Sequence, residues 1–565
     1  MTALWSLGLS LAVPLLSITL LLASLRRYLI PRRSLAQRLR VLARLGYTSP
    51  HIRIVGFFHP YCNAGGGGER VLWTALACMQ REMKGEAVVF VVYTGDVGHG
   101  KASKAEILAK VKSRFDITLS PSTLHFIPLE NRWLVEDSTY PRLTLLGQSA
   151  GSVLLALEGL IGPEGCVPDV WIDTMGYAFA YPLVKFLCRI PVASYTHYPT
   201  ISTDMLHRVS SRLSTHTNST LIASSRALSA LKLAYYVVFA RVYSWSLRKA
   251  GVVWVNSSWT RGHVEGLVGV QREEEELEGE VLLDGGEEPS TTKLRQRRKL
   301  TKEETPTPSS APSRTPNRPT SAPRIRLLYP PCDTLHLSSL PHSTSSRIGS
   351  SDPIIIFSLA QFRPEKEHPT QLRALASLFS SSTLSPTLKE RVKLVCAGSV
   401  RNEADAKRVE ALRALASELG VQEKIEFVVN AEYGQICEWM GRASVGLHTM
   451  VDEHFGITVV EFQAAGLIPL AHATAGPLLD ILLPSPSGTP TGFLAPSTSS
   501  PSSSTSSLSE AFAAQLEYIV SLPTDEQDKI REAARSNAQE RFSVRRFEEG
   551  WMSGWREVVG GKEGW

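Results

Sequence analysis

The chain has 565 residues, of which 43% are hydrophobic and 20% charged, and 60 basic residues against 54 acidic ones give a net charge of +6. About two to four domains fit this length, and their cores are large enough to need no disulfide or structural metal. The mild charge excludes a strongly basic nucleic-acid-binding protein, so we expect no nucleic-acid partner. The seven cysteines form no Cys-x-x-Cys pair, which argues against a disulfide framework or a zinc ribbon.

The N-terminal segment is apolar and is followed by a basic cluster. Met1–Leu25 carries no charged side chain, seven arginines follow from Arg26 to Arg44, and the first acidic residue is Glu69. About 20 apolar residues span a bilayer, and the positive-inside rule places the arginines in the cytosol. We therefore predict a transmembrane anchor over residues 1–25 with the rest of the chain cytosolic. A cleaved signal peptide is the alternative.

Apolar strands alternate with helical patterns in two series. The predicted strands are His51–Phe58, Ala87–Tyr93, Leu124–Leu129, Asp169–Asp173, Val192–Tyr195 and Val252–Asn256 in the first series, and Arg326–Tyr329, Ile354–Ala360, Val392–Ala397, Ile425–Val429, Ser444–Leu447 and Ile468–His472 in the second. This alternation predicts an α/β fold with parallel sheets covered by helices on both faces. We predict two doubly wound domains, at residues 26–270 and 325–540.

The two series are separated by a segment of biased composition. Residues 271–324 combine charged runs with many Pro, Ser and Thr, and too little apolar surface to offset the entropy of ordering. We predict a disordered insertion there. Residues 336–352 and 484–507 are similar, although 492–495 has the pattern of a short strand.

The segment Leu228–Leu247 is apolar and aromatic, but Lys232 and Arg241 interrupt it. It has two interpretations. A helix at the membrane surface suits the tyrosines and the tryptophan, and an ordinary core helix explains the same pattern.

Four consecutive glycines, Gly65–Gly68, follow the first strand of the chain. Glycine lets the backbone approach a ligand closely, and the helix that follows directs its free amides at that ligand, which should be an anion. The motif is not a P-loop, because no Gly-Lys-Ser/Thr follows. It is not Gly-x-Gly-x-x-Gly either, because the sixth position is Arg70, which disfavours a dinucleotide-dependent oxidoreductase.

Cationic side chains and a histidine follow two other strands. Arg363 and Lys366 come directly after the strand predicted at Ile354–Ala360, and His197 follows the strand at Val192–Tyr195. The carboxyl ends of parallel strands line the ligand cleft of such folds. We expect the two cations to bind a diphosphate and His197 to face the cleft.

Two glutamates, Glu453 and Glu461, are separated by seven residues, and Gly456 marks the start of a helix between them. We expect the amides of Phe455, Gly456 and Ile457 to face the same cleft as the carboxylates. Carboxylates accept hydrogen bonds from sugar hydroxyls and helix amides bind phosphate, so the pattern suits a sugar nucleotide. No Asp-x-Asp occurs, so we expect no metal and leaving-group stabilisation by cations and helix dipoles.

Several motifs together resemble a known enzyme family. The segments HPYCNAGGGGERVLW, THYPTISTDML, QFRPEKEHP and GLHTMVDEHFGITVVE are similar to the dolichol-linked α-1,2-mannosyltransferases of glycosyltransferase family 4, in order and over most of the chain. The resemblance implies a GT-B fold, with two Rossmann-like domains facing a cleft, and a final helix at 541–565 that returns to the first domain. It also implies a retaining transfer of two mannoses from GDP-mannose to trimannosyl-chitobiosyl diphosphodolichol at the cytosolic face of the endoplasmic reticulum membrane.

The resemblance also implies residue roles. Arg363 and Lys366 match the pair that neutralises the donor diphosphate, Glu453 the carboxylate at the transferred sugar, and Glu461 the one at the ribose. His197 resembles the histidine near the reacting sugar, and Gly65–Gly68 would line the cleft. No cofactor is implied beyond the donor, and other mannosyltransferases of the pathway are implied as partners. A mannosyltransferase forming α-1,3 or α-1,6 links and a non-enzymatic membrane scaffold remain as alternatives.

Overall fold

The structure, a computed structural model, describes residues 17, 20, 23–211, 226–270, 322–341, 352–496 and 505–560. Within these residues the first domain contains a seven-stranded parallel sheet of order β3-β2-β1-β4-β5-β6-β7. Its strands are β1 (Arg53–Phe58), β2 (Val88–Thr94), β3 (Leu124–Pro128), β4 (Val170–Asp173), β5 (Val192–Thr196), β6 (Val252–Val255) and β7 (Arg324–Leu327). β2 is buried along its whole length, as expected of a strand covered on both faces.

Helices cover both faces of this sheet. They are α1 (Ile30–Arg44), α2 (Gly67–Glu82), α3 (Lys104–Phe115), α4 (Thr144–Ile161), α5 (Tyr181–Cys188), α6 (Thr203–Ser210), α7 (Arg226–Leu247) and α8 (Ser258–Val268). Polar caps fix where several of them begin. Ser103 accepts the amide of Glu106 at the start of α3, and Ser257 accepts the amide of Thr260 at the start of α8.

The second domain contains a six-stranded parallel sheet of order β10-β9-β8-β11-β12-β13 within the described residues. Its strands are β8 (Ile354–Leu359), β9 (Val392–Gly398), β10 (Ile425–Val429), β11 (Val445–His448), β12 (Ile468–His472) and β13 (Phe493–Ala495). Its helices are α9 (Thr334–Ser338), α10 (His368–Ser380), α11 (Pro386–Arg391), α12 (Glu403–Glu418), α13 (Tyr433–Arg442), α14 (Ile457–Ala465), α15 (Thr505–Ser521), α16 (Thr524–Phe542) and α17 (Val544–Val558). The prediction of two doubly wound α/β domains is therefore confirmed.

The boundary between the domains differs from the prediction. Residues 326–329 were assigned to the second series, but Arg324–Leu327 pairs in parallel with Val252–Val255 at the edge of the first sheet. The predicted start of the second domain at 325 and the end of the insertion at 324 are therefore wrong. The hydrophobic pattern identifies a strand correctly, but it does not encode which sheet the strand joins. Residues 271–321 of the predicted insertion lie outside the described residues.

A second difference concerns the segment grouped with the low-complexity stretches at 336–352. Residues 336–338 of this segment belong to the helix α9. The helix begins after Asp333, and the carboxylate of Asp333 accepts a hydrogen bond from the amide of His336. Residues 342–351 lie outside the described part, as do 497–504 of the stretch predicted at 484–507. The short strand expected at 492–495 is present as β13.

The last helix, α17, packs on the first domain. Trp551 stacks on Trp254 of β6 with ring centroids 4.5 Å apart, and Phe547 and Trp555 belong to the same buried cluster as Phe57 of β1. Burial of such large rings is strongly stabilising. Because this helix follows α16 of the second domain, it ties the two domains together. The predicted span of 541–565 is longer than the helix, and residues 561–565 lie outside the described part.

The sequence of α7 fits either a helix at the membrane surface or a helix of the core. In the structure this helix has one buried face and one exposed apolar face. Tyr236, Phe239 and Tyr243 are buried in the core of the first domain, whereas Leu231 is 70% exposed and Trp245 is 53% exposed. The predicted anchor at 1–25 lies almost entirely outside the described residues. Among the described helices, Thr144–Ile161 is long and apolar enough to cross a membrane, and part of it is buried in the first domain.

Candidate active site

A cavity of about 280 Å³ lies between the two domains, at the carboxyl ends of their strands. Its floor comes from the second domain, through the ends of β8 and β9 and the starts of α13 and α14. Its roof comes from the glycine turn before α2 and from the end of α3. The residues that carry polar or charged groups into it are Arg70, Arg114, Gln361, Ser399, Asn430, Tyr433, Thr458 and Glu461.

The glycine turn forms part of this cavity, as the sequence predicts. Gly65, Gly66 and Gly67 line it, and Gly65 has a φ of +85°, a conformation that favours glycine. The carboxylate of Glu69 accepts a hydrogen bond from the amide of Gly66 at 2.6 Å and so caps the N-terminus of α2. Gly68 faces the other way, toward His197, whose Nε2 lies 3.5 Å from the position of a Cβ on Gly68.

His197 lies beside this turn with its Nε2 atom buried, and it does not line the cavity. Its ring packs against Tyr195 with centroids 4.9 Å apart, and burial lowers its pKa to about 4, so the ring is neutral near pH 7. Within the described residues, its Nε2 has no hydrogen-bond partner. A buried, unpaired ring nitrogen is costly unless a ligand or water meets it.

The structure brings Lys366 and Glu453 together. The Nζ of Lys366 lies 2.7 Å from Oε2 of Glu453, and both side chains are largely buried. His448, at the end of β11, meets the same carboxylate oxygen at 3.1 Å. The sequence did not single out His448, although it precedes Glu453 by only five residues. A strand-end histidine with no motif spacing gives no signal of its own.

The electrostatics of Glu453 keep it ionised. Burial alone raises its pKa, but the hydrogen bond from His448 and the positive charge of Lys366 outweigh burial, so the net pKa lies well below the usual value for a glutamate. The result is a fixed carboxylate beside a fixed ammonium group. Such a pair can hold a sugar hydroxyl and an anionic leaving group at neighbouring positions.

The helix α14 begins where the sequence predicted. Gly456 caps it with a φ of +100°, and Ile457 and Thr458 of its first turn line the cavity. The first amides of a helix have no partner within the helix, and they form an anion-binding end. Phe455 and Gly456 are not among the residues that line the cavity, and the Phe455 ring packs against Tyr329 and Phe542. That the Phe455 amide faces the cleft stays a prediction. Thr458 also lines the cavity, and no sequence motif pointed to it.

Glu461 lines the cavity one turn into α14, as the spacing from Glu453 predicts. Burial raises its pKa, and the charges of Arg70 and Arg114 oppose that effect. Both arginines come from the first domain and were not proposed as site residues from the sequence. Arg70 ends the glycine motif, and only the fold shows that it faces a glutamate of the other domain.

Arg363 is not among the residues that line the cavity, and neither are Lys366 and Glu453. Its side chain is 41% exposed, and its Nε lies 2.6 Å from Oε1 of Glu365. The sequence predicted Arg363 and Lys366 as one diphosphate-binding pair. In the structure only Lys366 reaches Glu453, because the short helical turn Pro364–Lys366 directs the two side chains differently. No group of three or more potential metal ligands occurs within the described residues.

Two family comparisons cover the two domains. The family described as "ALG11 mannosyltransferase N-terminus" matches residues 52–268, and the family "Glycosyl transferases group 1" matches residues 344–537. Solved structures with the same fold include sucrose-phosphate synthase from Thermosynechococcus elongatus (TM-score 0.55, 15% identity, 90% of this chain and 100% of that one) and α,α-trehalose 6-phosphate synthase from Burkholderia multivorans (TM-score 0.55, 11% identity, 90% and 99%). At such low identity these structures support the GT-B fold and nothing finer.

The curated relatives are more similar. A Homo sapiens protein named GDP-Man:Man(3)GlcNAc(2)-PP-Dol alpha-1,2-mannosyltransferase is 39% identical over 524 residues, which cover 92% of this chain and 90% of the relative. A protein of the same name from Neurospora crassa is 38% identical over 501 residues, covering 88% and 79%. The chain is therefore a glycosyltransferase that belongs to the family of GDP-Man:Man(3)GlcNAc(2)-PP-Dol alpha-1,2-mannosyltransferases.

Proposed function

We propose that the chain transfers mannose from GDP-mannose to trimannosyl-chitobiosyl diphosphodolichol, adding two successive mannoses in α-1,2 linkage with retention of configuration. The observation that carries this proposal is the 39% identity to the Homo sapiens relative over 524 residues, which cover 92% of this chain. The charge pattern of the cleft supports it. A carboxylate at Glu461 suits a ribose, and an ammonium group at Lys366 suits a diphosphate.

The donor is held from both sides of the cleft in this proposal. Its nucleoside occupies the cavity beside Tyr433 and Glu461, and its diphosphate meets the first turn of α14 there. The diphosphate then extends out of the cavity toward Lys366. Arg70 and Arg114 close the cavity from the first domain. Burial lowers the pKa of Arg70, but the charge of Glu461 and those of further acidic groups around it together outweigh burial, so the pKa is raised and the side chain stays cationic.

Retention follows from attack on the same face that the leaving group occupies. We propose that the acceptor hydroxyl attacks the anomeric carbon while the leaving phosphate takes its proton. The C–O bond to the acceptor forms, the C–O bond to GDP breaks, and the protein contributes orientation and charge stabilisation. Lys366 neutralises the charge that develops on GDP, and Glu453 fixes the transferred mannose. His197 and Gly68 bound the space for the acceptor.

We propose that this chemistry needs no metal ion, because Lys366 and the helix amides supply the positive potential. Transfer in the presence of excess EDTA should equal transfer without it. A loss of transfer that Mg²⁺ or Mn²⁺ restores would contradict this part of the proposal.

The donor and the acceptor class are tested together with purified protein in detergent. Labelled GDP-mannose should yield labelled lipid-linked product with the trimannosyl acceptor, whereas UDP-glucose should yield none. Lys366→Ala serves as the matched inactive control. Transfer from UDP-glucose, or equal transfer by Lys366→Ala, would contradict the proposal.

We propose that the protein acts at the cytosolic face of the endoplasmic reticulum membrane, with the first domain against the lipid. Leu231, Val238 and Trp245 form an exposed apolar face of α7. Cations border it, and Lys249 lies 5.0 Å from the centroid of the Trp245 ring. Apolar and aromatic groups flanked by basic side chains suit the interface of an anionic membrane. The predicted anchor would hold this face at the surface where a dolichol-linked acceptor is confined.

A photoactivatable phospholipid in microsomes tests this placement on the full chain. We expect labelling of the peptide that covers residues 226–247. The exposed surface helix Glu403–Glu418 of the second domain serves as the control and should stay unlabelled. Equal labelling of both helices would contradict the proposed orientation.

A further inference from the structure

Three aromatic rings meet between the domains beside the proposed reaction centre. The ring of His454, from the second domain, stacks on Tyr198 of the first domain with centroids 4.0 Å apart and planes 6° apart. Trp259 of α8 lies nearly parallel to both, 5.2 Å from His454 and 5.5 Å from Tyr198. Offset stacking at these distances is attractive beyond the burial of surface. The rings therefore form a specific contact across the cleft.

The first-domain half of this contact is held rigidly. The hydroxyl of Tyr198 donates to Oγ of Ser202 at 2.7 Å. Trp259 rests edge-on against His263 with centroids 4.3 Å apart, and Nδ1 of His263 lies 2.6 Å from Oγ1 of Thr203. These contacts fix two rings at the mouth of the cleft without help from the second domain.

The second-domain half is a short loop fixed at its backbone. The amide of Gly476 donates to the carbonyl oxygen of Glu453 at 3.0 Å, and the amide of Asp452 donates to Oγ1 of Thr474 at 3.0 Å. His454 therefore projects from a loop whose place in the second domain is set. The same loop carries the carboxylate of Glu453, so the loop sets the places of both side chains in the second domain.

Each side of the stack is one residue from a group proposed to act on the substrate. His454 follows Glu453, and Tyr198 follows His197. In addition, Oγ1 of Thr260, next to Trp259, donates to the carbonyl oxygen of His197 at 3.4 Å. We propose that His454, Tyr198 and Trp259 form an interdomain clamp, whose closure sets the position of Glu453 relative to His197. The three are positioning residues, and their role in catalysis rests on the proposed function of the cleft.

The clamp differs from a second contact between the domains. The buried carboxylate of Asp480 accepts the amide of Ser258 and the hydroxyl of Tyr329, each at 2.9 Å. That contact is hydrogen-bonded and buried, as suits a permanent pivot. The clamp consists of partly exposed rings, which can separate and restack. Opening about Asp480 would part the rings and admit the substrates, and restacking would assemble the site.

Ring-deleting and ring-preserving variants test the clamp. We expect His454→Ala to lower kcat at least tenfold while the dissociation constant for GDP changes less than twofold, because the nucleotide cavity is intact. His454→Phe keeps a stacking ring and should recover kcat to within threefold of wild type. In the double variant Tyr198→Ala/His454→Ala, kcat should be no lower than in the slower single variant, because the clamp is already broken. Tyr518→Ala, which removes an exposed ring from the Phe493 pair, is the matched control.

Hydrogen exchange of the substrate-free protein separates the clamp from the proposed function. His454→Ala and Tyr198→Ala should each speed exchange in the peptide covering residues 449–456, and His454→Phe and Tyr518→Ala should not. Because this exchange measurement needs no substrate, it supports the clamp even if no mannosyl transfer is found. In that case only the proposed function is contradicted. The clamp is overturned if His454→Ala keeps wild-type kcat, if His454→Phe is as slow as His454→Ala, or if exchange is unchanged.

Discussion

Lys366 and Glu453 form an ion pair between the turn after β8 and the loop before α14, with their charged atoms 2.7 Å apart and both side chains largely buried. Lys366→Ala leaves a buried carboxylate beside His448 alone and removes the charge proposed to neutralise the departing diphosphate. We expect kcat to fall by about 100-fold or more, as for loss of one transition-state donor, with the folded structure retained. Steady-state transfer kinetics, with circular dichroism as the check of folding, measure this.

Arg363→Ala provides the comparison at the same turn. The guanidinium of Arg363 is exposed and paired with Glu365. We therefore expect Arg363→Ala to lower kcat less than about tenfold, a smaller effect than the loss of an essential transition-state donor. A loss in Arg363→Ala as large as in Lys366→Ala would show that the two cations act as one diphosphate-binding pair, as the sequence alone suggested.

Glu461 is expected to act on binding and not on the chemical step. Glu461→Gln removes a carboxylate that lines the nucleotide cavity and faces Arg70. KM for GDP-mannose should rise about tenfold with kcat little changed, because a ribose contact is made equally in the ground and transition states. A fall in kcat at unchanged KM would instead place Glu461 at the reacting sugar.

At the scale of elements, the loop before α14 depends on a close backbone approach. A Cβ on Gly476 would lie 2.2 Å from the carbonyl oxygen of Phe455, a backbone atom that cannot turn aside. Gly476→Ala should therefore push the Glu453 loop out of place. We expect a loss of about 2 kcal/mol in the free energy of unfolding and a marked fall in kcat, measured by urea unfolding and by transfer assay.

Gly434→Ala is the matched control for that substitution. It lies in α13 with nothing within 4 Å of a new Cβ, so alanine should stabilise the helix slightly. Equal destabilisation by both substitutions would show that the effect of Gly476→Ala is not a steric one.

The elements also show how far the sequence determines the fold. Ile425–Val429 and Ile468–His472 have the predicted bounds, because a short run of apolar residues between helices is a local signal. The residues Val409, Leu412 and Ala416 of α12 recur at helical spacing and are buried on one face. The sheet partner of Arg324–Leu327 was missed, because no local pattern reports it.

The candidate site divides in the same way. Glu453 and Glu461 were found because their spacing about a capping glycine is a local motif. Arg70 facing Glu461, and the ring of Tyr198 on His454, depend on how two domains close on one another. Contacts between domains produce no local spacing pattern, so a single sequence does not predict them.

At the scale of the whole molecule, buried histidines tie the stability of the first domain to pH. Burial, aided by the charge of His197, lowers the pKa of His59 to about 3, and Nδ1 of His59 lies 2.7 Å from Oγ1 of Thr174. The unfolded pKa is about 6.5. This contribution to stability is therefore complete above pH 6.5 and is lost as the pH falls toward 3, since only the unfolded chain binds the proton.

The variant His59→Asn should weaken this dependence. The loss of unfolding free energy between pH 7.5 and pH 5 should be smaller than in wild type by about 2 kcal/mol. Urea unfolding followed by tryptophan fluorescence reports it, because Trp171 and Trp254 lie in the first sheet. An identical loss in both proteins would contradict the assignment of a neutral buried ring.

The two domains, the returning helix and the ring stack all border or position one cleft, and we propose that mannosyl transfer takes place in it. The most direct test is the mass and linkage of the lipid-linked product after the purified protein acts on trimannosyl-chitobiosyl diphosphodolichol with GDP-mannose. We predict a gain of two hexoses, both released by an α-1,2-specific mannosidase. A product that resists that enzyme, as α-1,3 or α-1,6 linkage would, or the absence of any product, would contradict the account.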